Sequence, residues 1–108
     1  MAEGERRDED RLSIPLEARW EGLSGKYAAR TSDLGLGGCY IETLAQVAAG
    51  EEIHFELQLP TGFWMPLHGT IVYHQPTLGF GVRFDHLTLM ERNMLTRLLA
   101  SAGGRRAM

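Results

Sequence analysis

One hundred and eight residues, 44% of them hydrophobic and 23% charged, suffice for one small domain with its own core and argue against several. A net charge of −3 argues against a general nucleic-acid binder, which needs a basic field, yet leaves room for a small anion held by local arginines. The single cysteine, Cys39, cannot form an internal disulfide. The sequence shows neither an apolar leader after Met1 nor the roughly 20 apolar residues of a membrane span. A cytoplasmic protein without membrane insertion is therefore expected.

Residues 1–11 are dominated by charge and carry no large apolar side chain after Met1. Such a segment buries too little surface to offset its ordering entropy and is expected to be flexible. Pro15 disfavours helix at Ile14, and beyond it Leu16, Ala18 and Trp20 alternate with Glu17, Arg19 and Glu21, the period of a half-buried strand. A turn at residues 22–25 leads to a second strand over 26–34 and, past a glycine-rich bend, a third over 39–43. Residues 44–50 read as a loop with room for one helical turn.

Ile53, Phe55, Leu57 and Leu59 alternate with His54, Glu56 and Gln58, the clearest strand pattern in the chain. Pro60, Thr61 and Gly62 form a hairpin connection to a long strand over 64–74, where parity places Leu67, Gly69, Ile71 and Tyr73 on one face. A last strand alternates Phe80, Val82 and Phe84 with Gly79, Gly81 and Arg83. Thr88 followed by Glu91 is a capping box that starts a helix. Met90, Met94, Leu95, Leu98 and Leu99 recur at helical spacing as one apolar stripe, and Gly103 and Gly104 mark the stop near Ser101. The expected fold is all-β: a six-stranded antiparallel (split) β-barrel with a C-terminal α-helix. The expected division is a flexible segment over 1–11, the barrel and helix over 12–102, and a tail over 103–108.

Two stretches carry chemistry. Arg7 and Arg11 stand four residues apart in a charged run that begins at Arg6, and Asp33 opens a bend containing Gly35, Gly37 and Gly38. Guanidinium groups grip phosphates as bidentate forks and stack on flat bases. Glycines let a ligand approach bare backbone. The Asp33 carboxylate could accept from a guanine edge or hold an arginine in place. A ligand with two phosphates and two purines would use all of these, and the plain alternative is a solvated tail followed by a glycine hairpin.

With these residues the chain resembles the PilZ domain, a bacterial receptor module for the second messenger cyclic diguanylate (c-di-GMP). The family's RxxxR motif is matched by Arg7 through Arg11, preceded by Arg6. Its (D/N)xSxxG motif is matched at Asp33 and Gly38, with Gly35 at the serine position. The likeness continues through 50–60, through Phe80 to Phe84, and into the C-terminal helix. The resemblance implies a binding module rather than an enzyme, with c-di-GMP as ligand and neither cofactor nor metal. It implies a site made of Arg6, Arg7, Arg11, Asp33, Gly35, Gly37 and Gly38. An unidentified protein effector would receive the signal, in the family from motility, surface-attachment (biofilm) or polysaccharide machinery. The competing reading is a degenerate PilZ domain that no longer binds the ligand and serves as a protein-interaction adaptor. The helix stripe leaves a homo-oligomer open.

The remaining candidates are weaker. Gly35 to Gly38 is no dinucleotide fingerprint, because no strand–helix unit surrounds it. The four histidines, His54, His68, His74 and His86, show no paired spacing with acidic residues or Cys39 that would chelate a metal, although His68 and His74 share a strand face by parity. Cys39 reads as a small core side chain. Trp64 and Met65 beside a hairpin read as barrel-end packing or a partner surface.

Overall fold

The computed structural model of the chain describes residues 11–23 and 25–107, with side chains through Ala102. Among the described residues six strands succeed one another: β1 (Glu17–Gly22), β2 (Gly25–Leu34), β3 (Gly38–Glu42), β4 (Glu52–Gln58), β5 (Trp64–Gln75) and β6 (Gly79–Phe84). All pair antiparallel in the order β1-β2-β3-β6-β5-β4, and β4 closes on β1 to complete the barrel. Closure leaves no open edge strand. The loop before β4 contains no helical turn.

The period-2 alternation sets the interior. Ala18 and Trp20 of β1, Ile53, Phe55 and Leu57 of β4, and Phe80, Val82 and Phe84 of β6 are buried together. Trp20 stacks on Tyr27 at 4.6 Å between ring centroids and meets Phe80 edge-on at 5.1 Å. A buried Leu or Phe contributes about 1.5–3 kcal/mol, and an exposed ion pair about 0–1 kcal/mol. The apolar interior therefore holds the barrel together. Met65 lies inside, whereas Trp64 is half-buried with the Arg19 guanidinium 3.7 Å above its ring. That pair divides the hairpin between the two expectations: Met65 is core and Trp64 lines the rim.

Two β-bulges break the alternation. Thr31 pairs with Ile41 and Asp33 with Tyr40, so Ser32 has no partner in the ladder. Ile71 pairs with Val82 and Tyr73 with Gly81, so Val72 is likewise unmatched. An extra residue reverses the parity of the strand beyond it. Tyr73 consequently points outward, 46% exposed, rather than sharing the inner face of Leu67 and Ile71. The same shift separates His74, which is half-buried, from His68, which is exposed. The two do not share a face as unbroken parity predicts.

The helix α1 spans Leu89–Ala107. Its capping box is formed as expected: the Glu91 N–H donates to Thr88 Oγ1 at 3.1 Å, and the Thr88 N–H donates to Glu91 Oε1 at 3.0 Å. Leu95 and Ala102 are buried in the barrel's core cluster, with Met94, Leu98 and Leu99 packed against it. Met90 does not join that stripe and is 71% exposed. The helix also runs past Ser101 through Gly103 and Gly104, where the sequence predicts a stop. Glycine inside a helix costs roughly 0.5–1 kcal/mol relative to alanine, which weakens a helix without forbidding it. Among the described residues no helix is long and apolar enough to cross a membrane.

Candidate functional site

The site begins with a buried threonine. Thr31 is fully buried in β2, where its hydroxyl donates to the Ile14 carbonyl at 2.6 Å and accepts from the Leu16 N–H at 2.9 Å. The Thr31 N–H in turn donates to the Leu16 carbonyl at 2.9 Å. Pro15 has no N–H to offer a ladder, so this side chain ties down a stretch that cannot pair as a strand. Further back, Leu12 and Leu34 exchange two backbone hydrogen bonds of 2.9 Å in an isolated antiparallel bridge. The lead-in segment is thereby laid along β2 and carries Arg11 to the end of that strand.

There the Arg11 guanidinium pairs with the Asp33 carboxylate. Two motif residues 22 positions apart meet on the outer surface, 39% and 38% exposed. Asp33 reaches that surface because of the Ser32 bulge. Unbroken parity after buried Thr31 would have turned it inward. Of the two roles open to Asp33 from sequence, the geometry realises the holding of an arginine. At this exposure the pair contributes about 0–1 kcal/mol to stability, which leaves Arg11 available to a stronger anionic partner. Arg6 and Arg7 lie outside the described residues.

The bend glycines divide by role. Gly38 pairs with Arg83, and a Cβ there would collide with the Val82 carbonyl oxygen. Its lack of a side chain is a condition of β3 packing on β6. Gly37 is exposed, with nothing within 4 Å of a built Cβ. Gly35 is buried, and its N–H donates to the Gly38 carbonyl at 2.9 Å. The bend therefore spends that N–H on itself.

From Asp33 the register defines a row across the outer face: Asp33 opposite Tyr40, Tyr40 opposite Gly81, Gly81 opposite Tyr73. Three strand spacings of about 4.8 Å make this row about 14 Å long. The Asp33, Tyr40 and Tyr73 side chains line an open groove of about 700 Å³ together with Ser32, Gln75 and Leu78 among others. The Tyr40 hydroxyl donates to Gln75 Oε1 at 2.5 Å. Desolvation first, then Tyr73, Glu42 and Asp33, push the Tyr40 phenol above its ordinary pKa, so it remains a donor at neutral pH. Sequence reasoning passes over Thr31, Tyr40, Tyr73 and Gln75. The local pattern marks Thr31, Tyr40 and Tyr73 only as strand residues and leaves Gln75 just beyond the strand over 64–74.

Cys39 is fully buried, and burial above all, with Asp33 adding and Arg11 opposing, pushes its thiol up to about 12. It is a core side chain and not a nucleophile at neutral pH. Among the described residues no group of three or more His, Cys, Asp or Glu could hold a metal ion.

The family model of the PilZ domain matches residues 5–101. The chain belongs to the PilZ family. PilZ domains are receptor and adaptor modules for c-di-GMP rather than enzymes, and c-di-GMP is their ligand rather than a cofactor. Solved structures share the fold. YcgR from Escherichia coli in complex with c-di-GMP superposes with a TM-score of 0.77 at 17% identity, over 90% of this chain and 46% of that one. The PilZ domain of the same protein with c-di-GMP gives 0.72 at 16% identity, over 89% and 90%. MotI/DgrA, an inhibitor of motility from Bacillus subtilis, gives 0.71 at 11% identity, over 90% and 49%. The chain thus spans about half the length of MotI and of full-length YcgR. No curated protein sequence matches it.

Proposed function

We propose that this PilZ domain is a receptor for c-di-GMP that passes the ligand's presence to a protein partner. The observation that carries the reading is the Arg11–Asp33 ion pair, which joins the two sequence motifs on one outward face. Arg11 is held beside the groove, and Arg7 and Arg6 stand four and five residues before it. Ligand binding fixes the segment carrying Arg6 and Arg7 against the barrel, with guanidinium groups on phosphates and guanines. The rearranged surface is what the partner reads, in the cytoplasm, and the inhibitor of motility MotI among its structural neighbours supports a role in motility.

Gly35 at the motif's serine position weakens the site without removing it. One neutral hydrogen bond contributes about 0.5–1.5 kcal/mol, while each arginine contact to a charged group contributes about 1.5–3 kcal/mol. Losing the first costs about tenfold in affinity. The same glycine favours the second reading, a degenerate PilZ domain working solely as an adaptor. Calorimetric titration with c-di-GMP, with GMP as control, separates the two. The receptor reading expects saturable binding that an Arg7→Ala/Arg11→Ala variant loses. Absence of binding to the intact chain, by calorimetry and by thermal shift, selects the adaptor.

A further inference from the structure

Because every strand runs antiparallel to its neighbours, the β1–β2, β3–β4 and β5–β6 connections gather at one end of the barrel, opposite the end where β6 leads into α1. Each connection displays a leucine: Leu23 is 92% exposed, Leu44 78% and Leu78 61%. The β3–β4 loop closes this end with Ala45 and Val47, which pack against the core cluster, while the alternate residues Leu44 and Gln46 are exposed. At the start of that loop the Thr43 N–H donates to the Leu78 carbonyl at 3.2 Å, and Leu44 and Leu78 border the same groove. At its far end Glu51 Oε2 accepts from the Leu23 N–H at 2.9 Å. One loop therefore joins the three leucines into a single face.

The charge around this face is one-sided. Lys26 stands opposite Glu21, and Arg30, which lies opposite Glu42, pairs instead with Glu17 at 3.4 Å. Glu42 and Glu52 are exposed at their strand ends, and half-buried Glu51 accepts from the Leu23 and Ala48 N–H groups. Among the described residues none of these three carboxylates forms an ion pair. Arg83, Arg92 and Arg97 belong to the far end and to α1. A single exposed leucine needs no explanation. Three on adjoining connections, rimmed by unpaired carboxylates, have the composition of a docking surface: an apolar centre and a polar rim.

We propose that this end of the barrel docks a cationic amphipathic segment of a protein partner. Its apolar side chains cover Leu23, Leu44 and Leu78, and its lysines or arginines meet Glu42, Glu51 and Glu52. Apolar residues three or four apart on a helix match such a patch. The leucines supply the burial, while the carboxylates steer the encounter and exclude acidic partners. The inference names the chemistry of the partner proposed above and rests on that reading only for the link to c-di-GMP. Leu44 and Leu78 border the groove, so ligand and partner meet along one edge.

The test titrates the protein with a synthetic amphipathic peptide of leucine and lysine, and with its counterpart carrying glutamate for every lysine, read by backbone amide NMR. The expected result is saturable binding of the lysine peptide alone, with shifts confined to residues 22–26, 42–52 and 75–79. Leu44→Ser/Leu78→Ser weakens it at least about tenfold, the lower end for one buried leucine. Glu42→Gln/Glu52→Gln weakens it and flattens its salt dependence. Phe63→Ser/Leu89→Ser, on exposed apolar residues of the opposite end, leaves it unchanged. All six positions are exposed, so the variants spare the core. No binding, equal binding of the glutamate peptide, shifts centred elsewhere, or equal losses from the two leucine-bearing ends overturns the docking surface. A dimer in sedimentation that Leu44→Ser/Leu78→Ser dissociates gives the face to a second copy of the chain and overturns it too. A c-di-GMP titration of the same preparation reads the receptor function separately, and its failure leaves the docking surface standing.

Discussion

The wall formed by β1, β4 and the first half of β5 and the wall formed by β2, β3, β6 and the second half of β5 share one barrel but display different chemistry. The first keeps strict register. Glu21 pairs with Lys26 and with His54, and His54 with His68. Arg19 meets Glu56 at 2.7 Å and covers Trp64. Charges there neutralise one another. The second wall is bulged at Ser32 and Val72, and beyond those bulges its outward side includes an aspartate paired with Arg11, two tyrosines and bare glycine backbone. The contrast shows how one fold makes both a solvated surface and the proposed ligand face. Regular alternation gives the former, and two extra residues re-aim the side chains beyond them to give the latter.

The comparison breaks most severely at Gly38. Gly38→Ala places a methyl group against the Val82 carbonyl and forces β3 from β6, so urea denaturation should show a loss of about 3 kcal/mol. Gly37→Ala, with open space around it, should stay within about 0.5 kcal/mol of wild type. A similar loss in both would mean that the bend, and not the strand contact, explains the glycines.

Thr31→Val comes next. It keeps the shape but orphans the Leu16 N–H and the Ile14 carbonyl, which costs about 1–3 kcal/mol. Because that hydroxyl lays the lead-in segment along β2, c-di-GMP affinity should fall as well. A variant that melts earlier but binds as tightly at low temperature would show that Arg11 is positioned by something else.

Gly35→Ser restores the motif's hydroxyl and should raise affinity by up to about tenfold, as read by calorimetry. Unchanged or lower affinity would contradict the account of what Gly35 removed. The smallest effect is expected on the regular wall. Glu56→Gln breaks an exposed pair worth about 0–1 kcal/mol and should leave c-di-GMP affinity untouched.

Much of the regular wall was legible in sequence because alternation is local. Ile53, Phe55 and Leu57, or Phe80, Val82 and Phe84, declare their face without reference to any other strand. The helix start was equally legible, since Thr88 and Glu91 satisfy each other's orphan N–H groups three residues apart. The bulges were not. A bulge is a mismatch between two strands, and nothing at Val72 distinguishes an unmatched residue from one in register. Unbroken parity therefore misplaces Tyr73 and sets His74 on the face of His68. Asp33 was found through its motif, but the partner of its carboxylate was decided only by where Thr31 and the Leu12–Leu34 bridge lay the preceding segment. The helix runs past its expected end because Gly103 and Gly104 carry a tolerable cost in place of a prohibition.

The proposed site depends on Asp33 serving the ligand by holding Arg11. A double-mutant cycle in c-di-GMP titrations of the wild type, Arg11→Ala, Asp33→Ala and the double variant tests it. The account predicts that each single change weakens binding and that the Asp33 change adds little once Arg11 is gone, a coupling well above the roughly 0.3–0.5 kcal/mol scatter of independent sites. Losses that simply add, or a wild type that binds no ligand, would contradict it.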